Sequence, residues 1–292
     1  MPSESLAIEV HALHKRYGRI RALRGVSLAL PAGQFHVLVG RNGAGKSTLL
    51  RILANREPPD RGEARVLGRS LELDVAEHGR DIAFVSESTA YEVPVSMRTF
   101  FGEFHRLRPG WQWDLFADAL RSLDVDLDKS FSTLSRGQRM QVACAAALAD
   151  RPKLLLLDEV TSVLDARARP YFVDAFADLC RAGGTVVMAT NIVSEVRDVA
   201  SRLVVLEDGV VRTEARVAEL SDRFVKVTSA SGHDHTVFSS PGAVALGRGP
   251  DGRQRWLVSR DDATSRDLPA ELLDPLPVTP EEAFIYFTGK RQ

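Results

Sequence analysis

The chain has 292 residues, room for roughly two domains at ~150 residues each. Hydrophobic residues make up 44 % and charged residues 26 %, a globular balance that excludes a disordered, collagenous or disulfide-stapled chain. Lys and Arg number 38 against 39 Asp and Glu, a net charge of −1. The basic surplus of a nucleic-acid binder is missing, and no nucleic-acid partner is expected. Cys144 and Cys180 fall in segments that read as helices and suit small buried hydrophobes in a reducing compartment. Met1 to Ser5 lacks the basic start and apolar run of a signal peptide. No apolar stretch approaches the ~20 residues that cross a bilayer. Work at a membrane would need a span from another chain.

In chain order, Phe35-His36-Val37-Leu38-Val39 predicts a buried strand that ends at Gly40, and Lys46 to Leu53 has helical spacing. Ile82 to Val85 reads as a strand. Residues from about 87 to 133 lack strand-like alternation and read as a mostly helical insertion. Gln138 to Ala149 and Arg169 to Arg181 predict helices, while Leu154 to Leu157 and Gly184 to Ala189 predict buried strands. Strands alternating with helices imply an α/β fold with a mainly parallel sheet. The texture changes near Thr213. Phe224 to Thr228, Thr236 to Phe238 and Arg255 to Val258 are short and β-branched, with a turn signal at Gly249-Pro250-Asp251-Gly252. Thr279-Pro280-Glu281-Glu282 has the form of a capping box that opens a terminal helix. The expected division is 1–213 for the main domain and 214–292 for a small β-rich accessory domain.

Gly40-Arg41-Asn42-Gly43-Ala44-Gly45-Lys46-Ser47 fits the phosphate-loop pattern G-x-x-x-x-G-K-[ST]. Glycines let backbone N–H groups approach a triphosphate, and the following helix aims its positive end at the same oxygens. Lys46 reaches the β and γ phosphates in such a loop, and Ser47 places its hydroxyl on Mg²⁺. Asp158-Glu159 closes the strand of four leucines and leaves two carboxylates at its C-terminal edge, where open α/β sheets bind ligands. One can hold the Mg²⁺ shell while the next polarises an attacking water. An acidic pair at a strand end is also a common solvated terminus, so its meaning rests on the loop beside it.

The order of motifs resembles the ATP-binding cassette, the nucleotide-binding subunit of ABC transporters, over roughly Leu6 to Val211. Leu134-Ser135-Arg136-Gly137-Gln138 is similar to the LSGGQ signature, with Arg136 in place of a glycine. Asp158-Glu159 resembles the Walker B end and Ser162-Val163-Leu164-Asp165 the D-loop, with Asp165 as its carboxylate. The resemblance implies ATP contacts from Gly40, Asn42, Gly43, Ala44, Gly45, Lys46, Ser47 and Thr48, with the Tyr17 ring against adenine. It implies Mg²⁺ at Ser47, Asp158 and Glu87, with Glu159 as general base. Ser135, Gly137 and Gln138 would act in trans on the nucleotide of a second cassette, so that two chains sandwich two ATP molecules. The plain alternatives are an ordinary helix N-cap for Ser135 and an ordinary core or surface aromatic for Tyr17.

Two further positions depart from the family. Ser86-Glu87 stands where a Gln is usual, and a carboxylate accepts from bound water but cannot donate as an amide does. Asn191 follows Val186-Val187-Met188-Ala189-Thr190 where the family places a His at the γ-phosphate. Asn has neither a titratable proton nor a cationic form. The resemblance implies an ATPase at the inner face of the cell membrane that energises a separate permease, export being the expected direction. The alternative is a hydrolysis-poor regulatory partner in a heterodimeric complex. The insertion carries Phe100, Phe101, Phe104, Trp111, Trp113 and Phe116. Most of these are expected in the core, the remainder in a groove that grips the permease.

Overall fold

A computed structural model describes residues 5–71, 81–88, 95–108, 110–228, 243–249, 251–261, 273–274 and 276–288. The central sheet has six strands in the order β10-β9-β3-β8-β7-β6. They are β3 (Phe35–Val39), β6 (Ile82–Ser86), β7 (Leu154–Asp158), β8 (Thr185–Thr190), β9 (Arg202–Glu207) and β10 (Val210–Arg216). Five run parallel, and β10 joins antiparallel at the edge. Both faces are covered, which is why β3, β7 and β8 are buried along their whole length and read as unbroken apolar runs. Leu155 and Leu157 pack on one side with Phe35, Val37 and Met188. Leu154 and Leu156 pack on the other with Leu38, Val187 and the helix α1 (Lys46–Leu53).

The α1 side is roofed by an antiparallel sheet in the order β2-β1-β4-β5, which the sequence reading did not foresee. Its strands are β1 (Leu6–Tyr17), β2 (Ile20–Pro31), β4 (Arg61–Val66) and β5 (Arg69–Ser70). Ile8 and Val10 point inward on β1, then the left-handed Ala12 (φ 45°) shifts the register and Leu13 becomes the next inward residue. The bulge breaks the two-residue period that would have signalled the strand.

Among the described residues the insertion is helical as expected, with α2 (Met97–Leu107) and α3 (Trp113–Ser122). Phe101, Trp111 and Phe116 are buried, with the Phe101 and Trp111 rings stacked at 5.7 Å. The Trp111 indole N–H donates to the Ala146 carbonyl at 3.0 Å, so the buried ring leaves no orphan donor. Phe100, Phe104 and Trp113 are half-buried against the same cluster. Among the described residues of this region, the exposed large apolar side chains are aliphatic instead: Val95, Leu107 and Leu115. Helices α4 (Arg136–Ala149) and α5 (Ala168–Arg181) cover the sheet beside it. Cys144 is buried, Cys180 is half-buried, and both thiols are free.

Strand β10 continues to Arg216, past the expected boundary at residue 213. One helical turn, α6 (Leu220–Arg223), leads into a second antiparallel sheet in the order β11-β13-β12. Its strands are β11 (Phe224–Thr228), β12 (Ala243–Arg248) and β13 (Gln254–Ser259). Strand β12 was not foreseen, and the expected strand at 236–238 lies outside the described residues. The turn between β12 and β13 closes through the Gly249 N–H to the Arg253 carbonyl at 2.8 Å. The terminal helix α7 (Pro280–Thr288) carries its capping box. Thr279 N–H donates to the Glu282 carboxylate at 2.8 Å, and Glu282 N–H to the Thr279 hydroxyl at 3.3 Å. Phe224, Val244, Leu257, Ala283 and Tyr286 join the same core as the central sheet. An Arg197–Glu281 pair at 2.9 Å ties α7 to the main body.

Candidate functional site

The strand register builds the site. Val39 pairs with Thr190, Ala189 with Asp158, and Asp158 with Ser86. The residues that follow these ends, Gly40, Asn191, Glu159 and Glu87, therefore emerge at one edge of the sheet. This is the carboxyl end of parallel strands, where such folds bind ligands. A cleft of about 510 Å³ opens there. It is lined by Tyr17, Asn42, Gly43, Ala44, Gly45, Lys46, Ser47, Thr48, Glu87, Glu159 and Asn191.

Gly45 sits at φ 105° as the N-cap of α1, and a Cβ there would stand 2.5 Å from the Ala22 carbonyl oxygen. A Cβ on Gly40 would stand 2.2 Å from the Leu206 carbonyl oxygen. These two glycines are required by the close passage of the chain against its own backbone. Gly43, by contrast, has no atom within 4 Å of where a Cβ would lie. The first intrahelical bond to the N-cap runs from Leu49 N–H to the Gly45 carbonyl. The N–H groups of Lys46, Ser47 and Thr48 thus precede that bond, on the positive end of the helix.

The Lys46 ammonium donates to the Gly40 carbonyl at 2.7 Å and lies 3.1 Å from the Glu159 carboxylate. The Ser47 hydroxyl donates to the Asp158 carboxylate at 2.9 Å. Burial pushes the Asp158 carboxyl above the ordinary carboxylate range. The Ser47 bond opposes that rise, the Glu159 charge adds to it, and Arg51 and Lys46 oppose it. A hydroxyl beside a carboxylate is a hard-oxygen donor set and suits Mg²⁺. Among the described residues no cluster of three or more His, Cys, Asp and Glu side chains is arranged to hold a metal. Two protein oxygens fit an ion that takes its remaining ligands from phosphate and water. Glu159 itself is held at φ 54°, a left-handed conformation rare outside glycine.

Tyr17 is 40 % exposed, and its hydroxyl donates to Glu57, which also pairs with Arg51 at 3.3 Å. Ile20, Ala22 and Ser162 line the cleft as well and were not singled out from the sequence. Ile20 and Ala22 continue the Tyr17 hairpin, and Ser162 lies four residues past β7 in the short turn that follows. Glu87 forms an ion pair with Arg136 at the start of α4, a contact that no local spacing announces.

The signature residues do not line this cleft. Ser135 is the N-cap of α4, its hydroxyl accepting from the Gln138 N–H at 3.2 Å. The Gln138 side-chain carbonyl accepts from the Ser135 N–H at 3.1 Å, which closes a capping box. The Ser135 hydroxyl still has its own proton to donate. Gly137 passes the D-loop segment closely, since a Cβ there would lie 3.3 Å from the Val163 carbonyl. Asp165 is also turned to its own helix, accepting from the N–H groups of Arg167 and Ala168 at 3.0 and 2.8 Å.

A family model described as ABC transporter matches residues 23–162. The chain is 36 % identical to the Fe(3+) ions import ATP-binding protein FbpC of Pseudomonas fluorescens, over 70 % of this chain and 59 % of that protein. It is 38 % identical to the aliphatic sulfonates import ATP-binding protein SsuB 1 of Nocardia farcinica, over 72 % of this chain and 81 % of that protein. It is 33 % identical to the daunorubicin/doxorubicin resistance ATP-binding protein DrrA of Streptomyces peucetius, over 73 % and 66 %. The chain thus spans less than two thirds of the length of FbpC. A solved structure described as the dimeric structure of MJ0796, a bacterial ABC transporter cassette, is similar with a TM-score of 0.63. That likeness has 25 % identity and covers 72 % of this chain and 98 % of the other.

Proposed function

Because the chain belongs to the ABC transporter family, we propose that it binds and hydrolyses ATP to energise transport through a separate membrane permease. What carries the reading is one arrangement: the loop from Gly40 to Ser47, the Ser47–Asp158 pair, Glu159, Glu87 and Asn191 at one sheet edge. The N–H groups of the loop and the Lys46 ammonium bind the phosphates. Ser47 and Asp158 hold Mg²⁺, with Glu87 beside them once it leaves Arg136. When bound, the ion neutralises charge on the β and γ oxygens. Glu159 takes a proton from the attacking water, Asn191 hydrogen-bonds the γ-phosphate, and Tyr17 faces the base. Ser135, Gly137 and Gln138, with Asp165 beside them, act on the nucleotide of a second cassette. Their position outside the cleft supports that reading.

Among the described residues no helix is long and apolar enough to cross a membrane. In this reading the chain sits at the inner face of the membrane, held by its permease. The names of the relatives above include both import and drug resistance. The cleft is common to both, so the proposal covers energised transport in either direction. A hydrolysis-poor regulatory role is favoured by one observation, Asn191 in the cleft lining at a position where the family resemblance implies a His. Co-purification with a permease, then Mg²⁺-dependent phosphate release by wild type and by Glu159→Gln, tests the proposal. Equal rates in the two proteins reject it.

A further inference from the structure

The outer face of the β1–β2 hairpin concentrates positive charge in a chain whose net charge is −1. A second cleft, of about 720 Å³, lies there and is lined by His14, Lys15, Arg16, Arg21, Arg24 and Arg61, with Asp60 as the lone carboxylate among the described residues. The strand register sets one pair of like charges directly opposite and gathers two more guanidinium groups beside it. Arg16 faces Arg21, and His14 lies between Arg24 on one side and Arg61 on the other. Directly opposed like charges destabilise a sheet. Asp60 supplies one negative charge against the five Lys and Arg side chains of the lining, and it accepts from the Arg16 backbone N–H at 2.8 Å and lies 3.7 Å from the Lys15 ammonium. Lys15 also donates to the Pro58 carbonyl at 2.6 Å, and Arg24 to the Asp208 carbonyl at 3.5 Å. Among the described residues, no carboxylate pairs with the guanidinium groups of Arg16, Arg21 or Arg61.

We propose that this cleft is a second anion site, separate from the nucleotide cleft, that takes a ligand carrying several phosphate charges. Guanidinium forks match phosphate oxygens in pairs, and a concave surface of one sign concentrates counter-charge. The volume falls in the range of small-molecule sites. Among the described residues, Leu23 is the one large apolar side chain of the lining, and no Phe, Tyr or Trp is present to stack on a base. The recognised element is therefore the phosphate charge itself. Its source is either a soluble oligophosphate or the headgroups of an anionic lipid surface.

The test uses the full chain carrying Lys46→Ala, so that binding at the phosphate loop does not mask the result. Inorganic tripolyphosphate is titrated calorimetrically, and phosphatidylcholine vesicles with and without phosphatidylglycerol are used in co-sedimentation. Both are repeated with Arg21→Ala/Arg61→Ala added. The expected result is that at least one probe binds and that the added changes weaken it by about tenfold or more. Loss of tripolyphosphate binding alone identifies a soluble ligand, and loss of phosphatidylglycerol-dependent sedimentation alone identifies the lipid surface. Removing opposed charges should leave the melting temperature equal or higher, which separates lost binding from lost folding. If the alanine pair does fold poorly, Arg21→Glu, which creates an opposed ion pair with Arg16, replaces it in the same assays. Failure of both probes to bind, or equal binding by the altered proteins, overturns the proposal.

Discussion

The Lys46 ammonium lies 3.1 Å from the Glu159 carboxylate, with the two side chains 5 % and 20 % exposed. The lysine proposed for phosphate is thus paired with the carboxylate proposed for water activation, and a bound triphosphate would compete with that carboxylate for the same protons. Glu159→Gln removes both the competitor and the base. Hydrolysis should fall by about 10²- to 10⁴-fold while ATP binds as tightly or more tightly. Phosphate-release kinetics and light scattering with Mg-ATP read the two effects, and the scattering should show an ATP-dependent dimer. Retained turnover would remove Glu159 from the base role.

Lys46→Ala deletes a charge-assisted contact worth about 1.5–3 kcal/mol, which weakens ATP by roughly tenfold or more. Titration with a fluorescent ATP analogue measures this. Equal affinities in the two proteins would place the triphosphate elsewhere.

Asn191 lines the cleft without a titratable group. Loss of one well-placed polar contact in a transition state commonly costs about 10²–10³-fold in rate, and an amide keeps part of the contact. Asn191→His should raise the ATPase rate several-fold with little change in ATP affinity. An unchanged or lower rate would show that the site works with Asn, and the regulatory reading would fall.

His36 is fully buried in β3, its Nε2–H donating to the Pro31 carbonyl at 2.8 Å. Burial lowers its pKa from 6.5 to about 4, against the Pro31 bond and with help from Arg202. The folded chain therefore favours the neutral ring, while the unfolded chain takes up a proton near pH 6.5. Its contribution is intact above that value and is lost as pH falls toward about 4, to the extent of about 3 kcal/mol. Urea unfolding across this window should show a steeper decline for wild type than for His36→Gln, whose amide can still donate to Pro31. Parallel declines would assign the acid sensitivity to the carboxylates.

Several features were legible because their cause is local. The runs at 35–39 and 154–157 read as strands since a sheet covered on both faces needs no polar alternation. The Thr279–Glu282 box was visible because both of its bonds span three residues. The phosphate loop was visible for a related reason, its residues being contiguous. The antiparallel sheet was missed where Ala12 breaks the strand period, and β12 was missed because its burial does not alternate, with Ala243 and Val244 both buried and Gly247 and Arg248 both exposed.

The sequence by itself determined where the phosphate-loop pattern and the acidic pair stand and which strands are buried, since both depend on neighbours within a few residues. Tertiary structure decided which of those segments meet. Ser47 and Asp158 are 111 positions apart, yet they share a hydrogen bond because β3 and β7 both pair with β8 in register. Register is fixed by which side chains face the core, a property of the whole sheet. The same holds for Glu87 with Arg136, and for the basic residues of the β1–β2 hairpin with Arg61. Charges far apart in the chain become neighbours only when strand pairing and helix packing bring them together.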